Sequence, residues 1–310
     1  MNEEILIVAG PTASGKSALA LTIAERLGGT VINADSMQVY RGLSLLTAQP
    51  DAAAQARAAH RLYGEIDPAE GSSAGAWRQR ALAEIAASRA ADRLPILVGG
   101  TGLYLRALLG GLAPTPPIDP ELRRAARSRH AALGARAFHD GLSRLDPEAA
   151  ARLNPADTQR VIRAYEVAAA TGRTLGEWQR DRRGVPDFSA RAIVLLPPRQ
   201  GLYAASDARF LDMLARGAAA EVRALLDRGL DPALPAMRAL GVRELAAWLR
   251  GDSDREAAVA AAQQATRNYV KRQLTWFQRQ LPETERLRKR IIVEQFSERM
   301  LPEVCSFIRQ

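Results

Sequence analysis

Ile5-Leu-Ile-Val-Ala9, running into Gly10-Pro-Thr-Ala-Ser-Gly-Lys-Ser17, is the stretch that decides the fold. Five consecutive apolar residues predict a strand buried on both faces, as in a parallel sheet. The next eight residues match G-x-x-x-x-G-K-[ST]. From Ser17 to Leu27 apolar residues recur at helical spacing. A glycine-rich turn between a buried strand and a helix is the context in which this motif cradles phosphate. Gly10 and Gly15 let backbone N–H groups curl round an oxyanion, with Pro11, Thr12, Ala13 and Ser14 as the body of the loop. The helix N-terminus adds about half a positive charge. Lys16 is placed to reach outer phosphate oxygens and Ser17 to offer its hydroxyl to a metal, with Mg²⁺ the expected cofactor.

Working outward, Thr30–Ala34 reads as a second strand, Ala76–Ala91 as a helix and Pro95–Val98 as a third strand ending in Gly99-Gly100. Ala192–Leu196 looks like a strand returning to the same core. Strands alternating with helices predict an α/β fold, a P-loop NTPase-like parallel sheet flanked by helices. Ala113–Pro120 holds four prolines in eight residues and reads as a stiff linker. Glu121–Arg183 is helical and basic in composition, and Gly184–Asp187 punctuates its end. The expected layout is therefore a catalytic core, residues 1–120 and 185–310, with a helical insertion domain at 121–184. Further helices are expected at about Ala204–Arg228, Pro235–Leu249 and Arg255–Arg279, and the last thirty residues carry little signal.

Composition narrows the function classes. Hydrophobic residues make up 47% of the 310, enough for a sizeable core, yet no apolar run is long enough to span a bilayer. The acidic start, Met1-Asn2-Glu3-Glu4, is unlike a signal peptide. Cys305 is the only cysteine, which excludes an internal disulfide, and His60, His130 and His139 are too scattered for a zinc pattern. A cytoplasmic protein with no membrane partner is expected. The net charge of +9 is localised: residues 121–184 hold thirteen basic and eight acidic side chains, and residues 266–310 hold ten and five. Localised basic charge suits a nucleic-acid backbone. Forty arginines beside three lysines in an alanine-rich chain fit a G+C-rich coding bias equally well.

The motif does not say whose phosphate it holds. ATP is the default, but Ile96-Leu97-Val98 runs into Gly99-Gly100-Thr101 with no acidic residue. A Walker-B carboxylate is thus missing, which disfavours a nucleotide-hydrolysing motor and leaves a small kinase open. Asp35 follows the second strand, and in an open α/β sheet it faces the same crevice as the cradle. Two readings stand for it: a base accepting a proton from an acceptor nucleophile, or a residue that either caps a turn or ligands Mg²⁺ through water.

At these residues the sequence resembles the bacterial tRNA dimethylallyltransferases. The matching blocks are GPTASGKS at Gly10–Ser17, NADSMQVYRGL at Asn33–Leu43 and VGGTGLYLRALLGGL at Val98–Leu112. NPADTQRVIRAYEVAAATGR at Asn154–Arg173, RALGVREL at Arg238–Leu245 and TRNYVKRQLTWF at Thr266–Phe277 follow in family order. The resemblance implies that the loop holds the diphosphate of dimethylallyl diphosphate rather than ATP. It implies that Asp35 takes a proton from N6 of an adenosine beside the anticodon. It further implies that Thr101 and Lys16 assist the departing pyrophosphate and that Arg209 also reaches the diphosphate. Asp35, Ser36, Met37, Gln38 and Thr101 correspond to tRNA-contacting positions. So do Arg123, Gln159, Arg160, Val161, Ile162 and Arg163, and Arg238, Ala239, Leu240, Gly241, Val242 and Arg243. The implied partners are a tRNA anticodon stem-loop and dimethylallyl diphosphate, with no protein partner required and a monomer as the family precedent. Val242 stands where the family usually has tyrosine, and Ala205 where arginine is common. In Thr266–Phe277, Arg267, Lys271 and Arg272 interleave with Tyr269, Trp276 and Phe277, a pattern that fits both base stacking and an ordinary helix core. Rival readings are an adenylate isopentenyltransferase, a P-loop small-molecule kinase and a non-catalytic RNA-binding ATPase. A free nucleotide would need neither the insertion nor the basic C-terminal helix.

Overall fold

The computed structural model describes residues 4–181, 188–280, 287–294 and 301–309. It divides into two compact units, Met1–Leu109 with Asp187–Gln310, and Gly110–Pro186. The Gly184–Asp187 break expected from the sequence lies outside the described residues.

The first unit is built on six parallel strands: β1 (Glu4–Ala9), β2 (Gly29–Asn33), β3 (Ala59–Arg61), β4 (Leu94–Gly99), β5 (Ser189–Leu195) and β6 (Leu287–Val293). Their order across the sheet is β3-β2-β4-β1-β5-β6. β1 lies between β4 and β5, with Val8 opposite Val98 and Ile193. The strands read as unbroken apolar runs because both faces are covered. Ile5, Ile7, Ile32 and Leu97 point into one core, with Trp77, Leu105 and Phe277. Leu6, Val8, Val31, Ile96 and Val98 point into the other, with Leu19, Ile23 and Phe307. This is the period-two alternation of a strand with both faces buried.

The helices of this unit are α1 (Lys16–Leu27), α2 (Ala52–Arg57), α3 (Ala74–Ala90) and α4 (Gly102–Gly110), then, after β5, α9 (Arg199–Ala215), α10 (Ala218–Asp227), α11 (Val242–Arg250), α12 (Arg255–Arg279) and α13 (Leu301–Arg309). The intervening numbers belong to the second unit. The single helix expected near Ala204–Arg228 is two. Gly217 adopts φ 103°, a left-handed conformation that ends one helix and starts the next. The helix expected from Pro235 is a short 3₁₀ turn, Ala236–Arg238, followed by α11. A buried ion pair, Arg191 Nε to Glu4 Oε2 at 2.7 Å, ties β5 to β1, and Arg191 also donates to the Phe307 carbonyl of α13.

The second unit contains α5 (Pro120–Ser143), α6 (Pro147–Arg152), α7 (Thr158–Thr171) and α8 (Leu175–Arg180). Asp119, Asp146 and Thr174 cap the starts of α5, α6 and α8. Phe138, Leu142, Ala149, Ala150, Val161 and Ala164 form its small core. His139 Nε2 lies 3.0 Å from both the Ala150 and Leu153 carbonyls, so this histidine serves the interior of the unit.

Candidate active site

Three loops leave the carboxyl ends of β1, β2 and β4, and each carries a candidate functional side chain. The first is the phosphate loop. Gly15 (φ 86°) occupies the N-cap of α1 without a side-chain cap, so the first N–H groups of α1 face outward. Ser14 Oγ is buried and has no hydrogen-bond partner among the described residues. A buried hydroxyl without a partner is costly unless a ligand satisfies it. The Lys16 ammonium hydrogen-bonds the Pro11 carbonyl at 3.1 Å. Burial pulls its pKa down to about 8. The Asp35 carboxylate opposes that shift and the Arg209 guanidinium adds to it. Arg209, on α9, donates to Thr12 Oγ1 and so closes one side of the loop. Ala205, one turn before it, is exposed. Its small side chain therefore does not keep Arg209 from the cradle.

Asp35 stands on the second loop. The Asn33 amide shapes this turn, accepting the Asp35 N–H at 2.7 Å and donating to the Asp35 and Leu62 carbonyls at 3.0 Å each. Asp35 Oδ1 accepts the Met37 N–H at 2.9 Å, and among the described residues Oδ2 accepts no hydrogen bond. The carboxylate is thus held by one oxygen and free at the other. Its charge acts on Lys16, on Arg209 and on the hydroxyls of Tyr63 and Tyr269, whose pKa values are raised first by burial and then by Asp35. Farther along, Gln38 donates to the Thr47 and Ala48 carbonyls, at 2.9 and 2.8 Å. Glu221 of α10 accepts the N–H groups of Leu45 and Leu46. These bonds fix the segment from outside.

The third loop carries Thr101. Its hydroxyl accepts the Ser36 N–H at 3.0 Å and donates to Ser36 Oγ at 3.3 Å. Close packing brings it there. A Cβ on Gly99 would lie 2.1 Å from the Ala34 carbonyl oxygen, and one on Gly102 would lie 2.3 Å from the Trp276 ring. The run GGTG is therefore a requirement of close approach between β4, the Asp35 loop and α12.

Ser17 is exposed at the start of α1. Among the described residues no group of three or more His, Cys, Asp or Glu side chains could hold a metal alone. Mg²⁺ commonly keeps several waters and binds through one or two protein groups plus phosphate oxygens. One hydroxyl beside a phosphate cradle, with Asp35 across from it, fits that donor set.

Several residues singled out from the sequence fall elsewhere. Val161, Ala239 and Val242 are at most 2% exposed. They belong to the hydrophobic cores, so their side chains are packed inside rather than offered at the surface: Val161 on the inward face of α7, Val242 on that of α11, and Ala239 just after the 3₁₀ turn. The tyrosine-to-valine departure at Val242 is accordingly a core substitution. Arg238, Arg243, Gln159 and Arg160 are exposed, and Gly241 is buried. Arg163 donates to Thr115 Oγ1 at 3.2 Å and pairs with Glu166 at 3.7 Å. Burial lowers its pKa, and exposed Arg123 lies close enough to lower it further. Phe277 is core, and Trp276 meets it edge-on at 5.0 Å. Gln273 escaped the sequence reading. It is buried on α12, accepts the Thr12 N–H at 2.9 Å and donates to the Gly100 carbonyl at 3.0 Å.

A parallel sheet whose phosphate loop faces a carboxylate and a hydroxyl, with no acid after β4, defines a P-loop-type group-transfer enzyme rather than a nucleotide-driven motor. Residues 38–280 match the family model described as IPP transferase, and the chain belongs to that family. A tRNA dimethylallyltransferase of Rhodospirillum centenum is 59% identical over 284 residues, covering 91% of this chain and 90% of that protein. One of Rhodospirillum rubrum is 52% identical and covers 98% and 94%. The crystal structure of a tRNA isopentenylpyrophosphate transferase from Bacillus halodurans superposes with a TM-score of 0.69 at 31% identity, covering 99% and 96%. A eukaryotic dimethylallyltransferase acting on tRNA gives 0.76 at 26% identity, covering 88% and 69%. Among the described residues no helix is long and apolar enough to cross a membrane.

Proposed function

We propose that this chain transfers the dimethylallyl group of dimethylallyl diphosphate to N6 of the adenosine 3′-adjacent to the anticodon, releasing pyrophosphate. Family membership supports the reaction. The observation that carries the assignment of roles is the half-free Asp35 carboxylate, set within the field of Lys16 and Arg209 beside the Thr101 hydroxyl.

The bond that breaks joins C1 of the allyl group to the bridging oxygen, and the bond that forms joins C1 to N6. The electron pair of the broken bond leaves with pyrophosphate. Charge grows on oxygens that the α1 N-terminus, Lys16, Arg209 and Thr101 surround, and donors aimed at developing charge act most strongly in a site shielded from water. The amine proton goes to Asp35 Oδ2, the oxygen without a hydrogen bond among the described residues. Ser17 would hold Mg²⁺ beside the diphosphate, and the metal would supply further charge neutralisation. Adenine N6 is reachable only when the base leaves the stack. The second unit, with Arg123, Gln159, Arg160 and Arg163, takes the anticodon stem-loop backbone, helped by Arg238 and Arg243 of the first.

Purified protein given dimethylallyl diphosphate with either total tRNA or AMP tests the proposal. The expected product is dimethylallyl-adenosine in tRNA only. Modification of AMP, or ATP hydrolysis at a comparable rate, would overturn it.

A further inference from the structure

Resting on that reading, we propose that Gln273 is a positioning residue: its amide clamps the phosphate loop to the Thr101 loop and sets the distance between cradle and hydroxyl. Thr12 Oγ1 is held by Arg209, while the Thr12 N–H is held by Gln273 Oε1 at 2.9 Å. The other end of the same amide, Nε2, donates to the carbonyl of Gly100, the residue before Thr101, at 3.0 Å. The orientation of the amide follows from its partners, since an N–H needs the oxygen and a carbonyl needs the nitrogen. Gln273 is only 5% exposed, so neither bond has a ready replacement in water.

The clamp has a rigid mount. Leu274 and Val270 pack on Leu202, and Phe277 enters the main core. Trp276 packs against Gly102, where even a methyl group would collide with its ring. Gly100 is fitted to the amide in the same way: a Cβ there would come within 2.3 Å of Gln273 Nε2. One helix thus reaches both loops just beyond the last β1–β4 pair, Ala9 with Gly99. Leaving-group assistance by Thr101 demands that the diphosphate and the hydroxyl share one frame, because displacements near 1 Å can cost about 10²-fold in rate.

The test compares wild type, Gln273→Leu, Thr101→Ala and the double variant in single-turnover transfer to tRNA, with inorganic pyrophosphate affinity measured by calorimetry. Gln273→Leu is expected to slow transfer on the order of 10²-fold, with pyrophosphate affinity changed by roughly threefold or less. Added to Thr101→Ala it should slow transfer far less, since the hydroxyl it positions is gone. Should the leucine variant fail to fold, Gln273→Asn, whose neutral amide is one methylene too short to reach both loops, carries the same comparison. An unimpaired Gln273 variant overturns the clamp. So does equal slowing with and without Thr101, the mark of a purely structural role, and so does a loss confined to pyrophosphate affinity. A wild type that transfers nothing to tRNA overturns the proposed function and the clamp together.

Discussion

The Lys16 ammonium gives the site a pH signature that separates a phosphate cradle from an incidental glycine-rich turn. Burial brings its pKa from 10.5 down to about 8 in the free protein. A bound diphosphate replaces lost hydration with negative charge and restores the protonated form. Binding above pH 8 must then take up a proton. With the complex fully protonated, the free protein at pH 9 is competent in about one molecule in ten, so affinity falls about tenfold between pH 7 and 9 on that account alone. Pyrophosphate titrates in the same range, and Lys16→Arg, which stays charged, removes the ligand's own contribution by comparison. Calorimetry in buffers of different ionisation enthalpy should find close to one more proton taken up by wild type than by Lys16→Arg at pH 9. Stability runs the other way. Between pH 8 and 10.5 the unfolded chain keeps a proton that folded Lys16 releases, so this group makes the free protein more stable as pH rises. Superimposable pH profiles for wild type and Lys16→Arg would refute the reasoning.

Asp35→Asn should retain pyrophosphate and tRNA binding but lower kcat by roughly 10²–10⁴; near-normal turnover removes Asp35 as the base. Gly99→Ala should unfold more readily than Gly102→Ala, because its Cβ meets the rigid Ala34 backbone whereas Gly102 meets a side chain that can shift. Overpacking of this kind costs about 1–3 kcal/mol, and equal melting temperatures would contradict the contrast. Arg160→Ala should shallow the log–log salt dependence of tRNA binding by about 0.7–0.9, read by filter binding, while an unchanged slope would mean that this exposed arginine meets no phosphate.

The central strands were legible because burial on both faces leaves only apolar residues, as in Ile5–Ala9 and Pro95–Val98. β6 was not, for the opposite reason. It is the edge strand, and Lys289, Arg290 and Ile292 are exposed along it, so its sequence reads as a charged segment with no clear period. β3, three residues long, is too short for any period to register. The break at Gly217 was hidden because its flanks are alanine-rich and strongly helical. A single glycine is tolerated inside such a pattern, and only the backbone conformation says that it is used to turn.

The site divides along the same physical line. Gly10–Ser17, Asp35 and Thr101 could be read because each lies within a few residues of a strand end, where chain order fixes position. Carrying whole blocks over as tRNA contacts takes in Val161, Ala239 and Val242, whose side chains are buried. A contiguous block on a helix presents some residues outward and others inward, and the apolar members are the inward ones. Gln273 was missed because its importance lies wholly in partners 261 and 173 residues away. A signal was nonetheless present. Tyr269, Gln273 and Trp276 stand at i, i+4 and i+7 and so share one face of α12. A glutamine between two aromatics on a buried stripe must satisfy both ends of its amide inside the protein. In a chain whose glycine-rich loops present unpaired backbone groups, those loops are the natural partners, and the amide meets both of them.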